Sequence, residues 1–317
     1  MSLDVSVIIP THNPHPGRLQ RTLAGLRAQT LPAARWETVL VDNDSQPPVD
    51  PALFAIVAPA NLRPVREPHL GLSSARRRGL AETTAPLCVL VDDDNVLAPD
   101  YLAHVVRLFA AHPGVGALGG RSAPEFEITP PPWMRQFDDL LACRDLGPAA
   151  QISHGLRDPA TGRNAYPLCA PIGAGMALRR EAAQSWLARA DDTLFSDRRG
   201  KELSSSGDNE IILTLLQRGW EVGYFPELSL THLIPAGRTK FAYLARLNRS
   251  IQKSWIEVLL GYDASPWPQI AGWTLPLREL KAWFTHRAWS GRAGYIRWKG
   301  ACGHFQGRVR LTSVFRR

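Results

Sequence analysis

Three short apolar runs, each stopped by a polar or acidic cluster, limit what this chain can fold into. Val5 to Ile9 ends in Pro10-Thr11-His12-Asn13. Thr38 to Val41 ends in Asp42-Asn43-Asp44-Ser45. Leu87 to Val91 ends in Asp92-Asp93-Asp94. Runs this short, apolar and β-branched predict buried strands. The stretches between and after them carry helical spacing. Arg18 to Gln29 has Leu19, Leu23 and Leu26 on one face. Gly71 to Thr84 follows an extended segment near Val65, and Pro99 to Ala111 places Pro99 in a first turn. Strands alternating with helices predict βαβ units. The expected fold is α/β and Rossmann-like, a mostly parallel sheet flanked by helices.

In such a sheet ligands gather beyond the carboxyl ends of the strands. Thr11 and Asn13 stand at the first strand end, Asp42 at the second, and Asp92 and Asp94 at the third. On an extended segment Asp92 and Asp94 would face one side. A diphosphate brought near them is repelled by about 4 kcal/mol for each unit-charge pair at ~4 Å. A few hydrogen bonds return less than that. A divalent cation reverses the sign, and oxygen ligands select Mn²⁺ or Mg²⁺. The other reading is an acidic turn capping the helix at Pro99.

Beyond Gly119-Gly120 the pattern weakens. Residues 121–170, with Pro130-Pro131-Pro132, read as an irregular insertion, a lid or acceptor-side wall. Order returns at Ile172 to Leu178, where Gly173 and Gly175 suit a close backbone approach to a sugar. A helix is expected from Asn209 to Arg218, closed by Gly219, and Tyr224 to His232 is extended. From about Phe241 the chain reads as helical, interrupted at Pro266, Pro268 and Pro276.

Charge separates front from back. Gly237 to Arg317 holds 15 Lys and Arg against 3 Asp and Glu, a net +12 that leaves residues 1–236 at −4. The same tail holds Trp255, Trp267, Trp273, Trp283, Trp289 and Trp298. Basic side chains with interfacial aromatics suit an anionic membrane surface; the alternative is a solvated helical appendage with its tryptophans packed. No nucleic-acid-reading motif is present, so nucleic acid is not an expected partner. Cys88, Cys143, Cys169 and Cys302 lack pairing or metal spacing and read as reduced. With neither a signal-peptide pattern at Met1-Ser2-Leu3-Asp4 nor about 18 consecutive apolar residues, the expected location is cytoplasmic, with possible attachment at the inner face of the plasma membrane.

Several of these segments together resemble the family 2 glycosyltransferases of the GT-A fold. They are Val7-Ile8-Ile9-Pro10-Thr11-His12-Asn13, Val41-Asp42-Asn43-Asp44-Ser45, Gly71-Leu72-Ser73-Ser74-Ala75-Arg76, Val91-Asp92-Asp93-Asp94 and Ser206-Gly207-Asp208-Asn209-Glu210-Ile211, in family order over residues 4–235. The resemblance implies a 1–236 catalytic domain, with 1–120 the nucleotide-binding half and 121–236 the acceptor-binding half. A basic, mainly helical appendage follows at 237–317. It implies that Pro10, Thr11, Asn13, Asp42, Arg76, Asp92 and Asp93 hold a nucleotide-sugar, a UDP-sugar favoured. Asp94 would bind the metal and His232 complete its shell, unless His232 is a satisfied structural histidine. Asp208 would be the general base, with Glu210 the fallback; the other reading makes Asp208 a helix cap. Gly173, Gly175 and Glu210 would lie on the acceptor side.

The implied reaction is inverting, metal-dependent transfer to a hydroxyl of a glycan or lipid-linked glycan, in polysaccharide biosynthesis. Gly294-Tyr295-Ile296-Arg297-Trp298 lacks the Gln of the processive Gln-x-x-Arg-Trp motif, which implies single addition. Two alternatives remain: a sugar-nucleotide nucleotidyltransferase, and a catalytically inactive sugar- or membrane-binding module.

Overall fold

The computed structural model describes residues 2–189 and 206–309. Residues 190–205 of the expected acceptor half, and the last eight residues of the basic tail, lie outside them. The first half is built from β1 (Val5–Thr11), α1 (Pro16–Arg27), β2 (Trp36–Asp42), β3 (Leu62–Arg66), α2 (Leu72–Ala81) and β4 (Leu87–Leu90). β1 runs parallel to β2, from Val5 opposite Trp36 to Thr11 opposite Asp42, and parallel to β4 on its other side. The polar strand ends foreseen in the sequence therefore fall at one edge.

The second half adds β5 (Asn95–Leu97), α3 (Tyr101–Ala111), β6 (Val115–Phe126), β7 (Gln151–Ser153), β8 (Ala177–Arg179), α4 (Arg180–Leu187), α5 (Gly207–Gln217) and β9 (Glu221–Ile234). One nine-stranded sheet results, in the order β3-β2-β1-β4-β8-β6-β9-β5, with β7 pairing β9. β8 is antiparallel to β4 and β6, while β6 and β9 are parallel. Alternate residues of β1 feed the two faces. Val5, Val7 and Ile9 pack with Leu19 and Leu23 of α1 and Leu102 and Val105 of α3. Ile8 packs with Leu80 of α2, Trp186 of α4 and Ile211 of α5.

The irregular insertion proves more ordered than its composition indicated. Residues 121–126 continue β6, whose pairing with β9 shifts register between Gly119 and Arg121. Such a bulge bends a strand without ending it. Pro132–Leu141 is a 3-10 helical segment that buries Met134, Phe137 and Leu141.

The tail forms α6 (Phe241–Gly261), α7 (Leu275–Thr285) and α8 (Arg292–Gly307), with Pro276 in the first turn of α7. Packing does not stop at residue 236. Leu244 and Leu247 of α6 join Met134, Phe137 and Ile296 in a third core. Val258 and Leu259, farther along α6, join the core beneath the sheet. The appendage is thus part of the molecule's interior. No helix among the described residues is long and apolar enough to cross a membrane, and all four cysteines are buried and free.

Candidate active site

A cleft of about 470 Å³ opens at the carboxyl edge of β1 and β4. Pro10, Thr11, Arg76, Asp92, Asp93, Asp94, Gly173, Asp208 and His232 all line it. The sequence placed these residues at a site from positions more than 200 residues apart.

The acidic cluster is a turn, not an extended run. Asn95 N donates to Asp92 O across it at 3.0 Å. The three carboxylates therefore splay toward different partners. Asp92 Oδ1 lies 3.7 Å from Arg76 Nη2. Asp93 accepts a hydrogen bond from the Thr11 hydroxyl. Asp94 Oδ1 lies 3.4 Å from His232 Nε2, and its Oδ2 lies 3.2 Å from Arg238 Nη2. Burial first, then the neighbouring Asp94 and Asp92 charges, push Asp93 up to about 7; the Thr11 hydroxyl and Arg238 pull the other way.

The ladder explains why His232 is there. Asn95 of β5 stands opposite His232 of β9, and Leu233 N donates to Asp94 O at 2.9 Å. Chain continuity then carries Arg238, six residues on, back over the same carboxylate. Its Nη1 lies 3.2 Å from His232 Nε2. Nearby Asp94, Tyr243 and the other two aspartates raise its affinity for the proton, although burial opposes them. Sequence reasoning missed Arg238 because no motif surrounds it; a short turn at Ala236–Thr239 brings it round. Asn43 was also missed. It is buried, donates to Glu67 O and His69 O, and accepts from Gly71 N, tying the end of β2 to the start of α2.

On the opposite wall, Asp208 lies in the first turn of α5, two residues after the N-cap Ser206, so it does not cap the helix. Its Oδ2 accepts from Gly173 N at 3.0 Å and its Oδ1 from Asn209 N at 2.9 Å. These bonds hold the carboxylate toward the cleft. A Cβ on Gly173 would come within 2.7 Å of Arg76 Nη2 and 3.3 Å of Asp208 Oδ2. Only glycine lets the two charged groups flank the backbone so closely.

Four expected site residues lie elsewhere. Asn13, at φ +48°, bridges the loops after β1 and β2: Ser45 Oγ accepts from its N, and its Oδ1 accepts from Gln46 N. Asp42 uses both oxygens on Ser45 N and Val49 N, with Arg66 3.7 Å away. Glu210 is buried away from the cleft, accepting from the Trp186 indole at 3.4 Å, with Arg77 nearby. Burial raises its pKa. Gly175, at φ +73°, receives the Tyr101 hydroxyl on its carbonyl and packs under Leu230. Its place is in the core.

The tail and insertion close the cleft. Asp139, Leu140, Leu141 and Ala142 supply one wall, and Tyr243, Leu247 and Ile251 of α6 another. Among the described residues no three His, Cys, Asp or Glu side chains form a closed cation cage.

Comparison with known proteins agrees with this architecture. The chain is 24% identical over 234 residues to the succinoglycan biosynthesis protein ExoM of Rhizobium meliloti, covering 72% of this chain and 67% of that one. It is 25% identical over 273 residues to an N-acetylglucosaminyltransferase of Mesorhizobium japonicum, covering 82% and 58%. This chain therefore spans little more than half the length of the latter. Among solved structures, the mannosyltransferase PcManGT of Pyrobaculum calidifontis, in complex with GDP-Man and Mn²⁺, superposes with a TM-score of 0.55 at 19% identity. The match covers 94% of this chain and 74% of that one. At that identity the likeness shows the GT-A fold alone. The profile of glycosyl transferase family 2 matches residues 6–187, more than half the chain and all of the sheet edge that carries the acidic turn, and the protein belongs to that family.

Proposed function

We propose that this protein transfers a sugar, in a single addition with inversion, from a nucleoside-diphosphate sugar to a hydroxyl of a glycan or lipid-linked glycan. A UDP-sugar is the first donor to test. The observation that carries this reading is one cleft with acidic, histidine and arginine side chains on one wall and a carboxylate, Asp208, held in position by backbone N–H groups on the other. The similarity to a succinoglycan biosynthesis protein supports a polysaccharide acceptor.

A divalent cation fits the residues present. Asp94 and the buried His232 stand together at the cleft, and His232 Nδ1 has no hydrogen-bond partner. Hard cations often take one or two protein ligands and complete their shell from substrate phosphates and water, so an open site suffices. Asp94 and His232 would hold Mn²⁺ or Mg²⁺, which when bound supplies Lewis-acid stabilisation of the departing diphosphate.

The remaining chemistry belongs to the chain. Arg238, paired with Asp94, and Arg76, beside Asp92, place positive charge where the diphosphate's negative charge grows. Asp208 accepts the proton of the acceptor hydroxyl as that oxygen attacks the anomeric carbon. Its bonds to Gly173 N and Asn209 N fix its direction at no further ordering cost. The wall made by residues 139–142 and α6 shapes the acceptor side and excludes water.

Two variants separate donor binding from chemistry. Asp208→Asn should keep the thermal stabilisation given by UDP and Mn²⁺ while kcat falls by at least ~100-fold. Asp94→Ala should lose both. Near-normal turnover in Asp208→Asn would remove the base assignment. Unchanged Mn²⁺-dependent stabilisation in Asp94→Ala would remove the cation site. Failure of any UDP-, GDP-, dTDP- or CMP-sugar to stabilise the intact protein would end the donor proposal.

A further inference from the structure

Helix α7 is built the wrong way round for a helix of a solvated appendage. Trp273, Leu277, Leu280 and Phe284 follow one another at intervals of four, three and four residues. They are 79%, 66%, 55% and 60% exposed. That spacing places Leu277, Leu280 and Phe284 on one narrow stripe of the helix, and Trp273 stands in the 3-10 turn Gly272–Thr274 just before it. The opposite side is the packed one: Ala282 is buried, and Glu279, the helix's one acidic residue, turns inward to accept from Gln306 of α8. Trp289, 57% exposed, extends the apolar surface past the helix end, where its ring meets Phe284 at 5.6 Å. A contiguous apolar stripe of this kind marks a surface that something covers.

Charge identifies the cover. Lys281, Arg287 and Arg292 stand exposed in the segment bearing the stripe, and no acidic side chain there is exposed. We infer that the Trp273–Trp289 surface seats on an anionic lipid bilayer, with the aromatic and leucine side chains in the interfacial layer and the cations on the headgroups. A second copy is the poorer fit, since a two-fold contact would set two strongly basic tails against each other. The stripe lies outside the cleft, so its partner does not depend on what the cleft transfers. It nonetheless connects to the acceptor side. From α8, Arg292 lies 5.8 Å over the Trp133 ring and Arg297 donates to Gln136. Both contacts fall on the segment whose end, Asp139–Ala142, forms a cleft wall. A bilayer under α7 would hold that wall near membrane-borne acceptors.

Vesicle flotation of the full chain tests this. Wild type should float with vesicles of phosphatidylcholine and 30–40% phosphatidylglycerol, on the order of tenfold better than with phosphatidylcholine alone, and salt should weaken the binding. Leu277→Ser/Leu280→Ser/Phe284→Ser should lower binding at least tenfold with its melting temperature and donor hydrolysis unchanged. Lys281→Glu/Arg287→Glu should lose the preference for anionic vesicles, and it carries the test alone if the triple variant fails to fold. Three results would overturn the inference. They are no flotation of wild type, equal flotation of wild type and the charge variant on anionic vesicles, and a wild-type dimer that the triple variant converts to monomer in light scattering.

Discussion

Asp93 sits between two other carboxylates, shares Thr11's hydroxyl, and is pushed up to about 7 by burial and by Asp94 and Asp92. An acid with a raised pKa in the folded state binds its proton more tightly there than in the unfolded chain. The folded state is therefore penalised as pH rises from the unfolded value near 4 to the folded value, and the full penalty persists above it. In EDTA, Asp93→Asn should raise the melting temperature by about 3 °C or more at pH 8. The gain should shrink steadily on titration to pH 4.5; a constant difference across that range would contradict the assignment. The two expected sugar-side glycines should separate just as sharply. Gly175→Ala meets Leu230 Cδ2 at 2.6 Å in a left-handed backbone, and should lose about 2 kcal/mol or more of stability. Gly173→Ala meets the flexible end of Arg76, so it should fold normally and lose turnover instead. Thermal melts and kcat on the two variants decide the matter. At this scale Thr11, the acidic turn and Asp208 were legible because they are motif residues at strand or helix ends. Asn13 and Asp42 were expected at the nucleotide-sugar, but their side-chain oxygens accept from the chain's own backbone. Arg238 was invisible because its place follows from a register, Asn95 opposite His232, that no local pattern reveals.

Between elements, α2, α4 and α5 meet around one cation. Arg77 of α2 stacks 4.0 Å over Trp186 of α4 and donates to the carbonyls of Trp186 and Leu187. Glu210 of α5 accepts from the same indole. Arg77→Ala removes the stack and one of the two cations near the buried Glu210, leaving Arg189, a change that costs about 2 kcal/mol. The melting temperature should drop by roughly 5 °C with the donor KM unchanged; a raised KM with full stability would place Arg77 at the nucleotide instead. Arg77 stands in the run Arg76-Arg77-Arg78, and its place is set by helix α4, which the sequence pattern did not reveal. That helix was missed because eight residues give barely two turns of pattern. β6 was missed because Gly119-Gly120 reads as a break, whereas the sheet absorbs it as a shift in register. β1, β2 and β4 were legible because they are continuous apolar runs, whereas β3, half-exposed with Arg63, Pro64 and Arg66, showed only as an extended segment near Val65.

For the molecule as a whole, packing runs across residue 236, where the sequence suggested a division. A compositional change, from acidic to basic, looked like a domain boundary. Yet α6 places Leu244, Leu247, Val258 and Leu259 in two cores at once. Each fully buried side chain of this kind is worth ~1.5–3 kcal/mol, and four of them rival the entire stability of a typical domain. A chain ended at residue 236 should therefore fail to give a cooperative melt and should be digested by trypsin under conditions that spare the intact protein. Retention of a sharp transition would show that the sheet stands alone. The same helix has a consequence for diversification. The rim proposed to face the donor comes from the first 94 residues together with His232 and Arg238, while another wall of the cleft is drawn from residues 139–142 and from Tyr243, Leu247 and Ile251. If the proposed transfer holds, those two wall segments can drift, or be grafted from a cousin, to suit a new incoming alcohol without retuning the residues proposed to act on the donor.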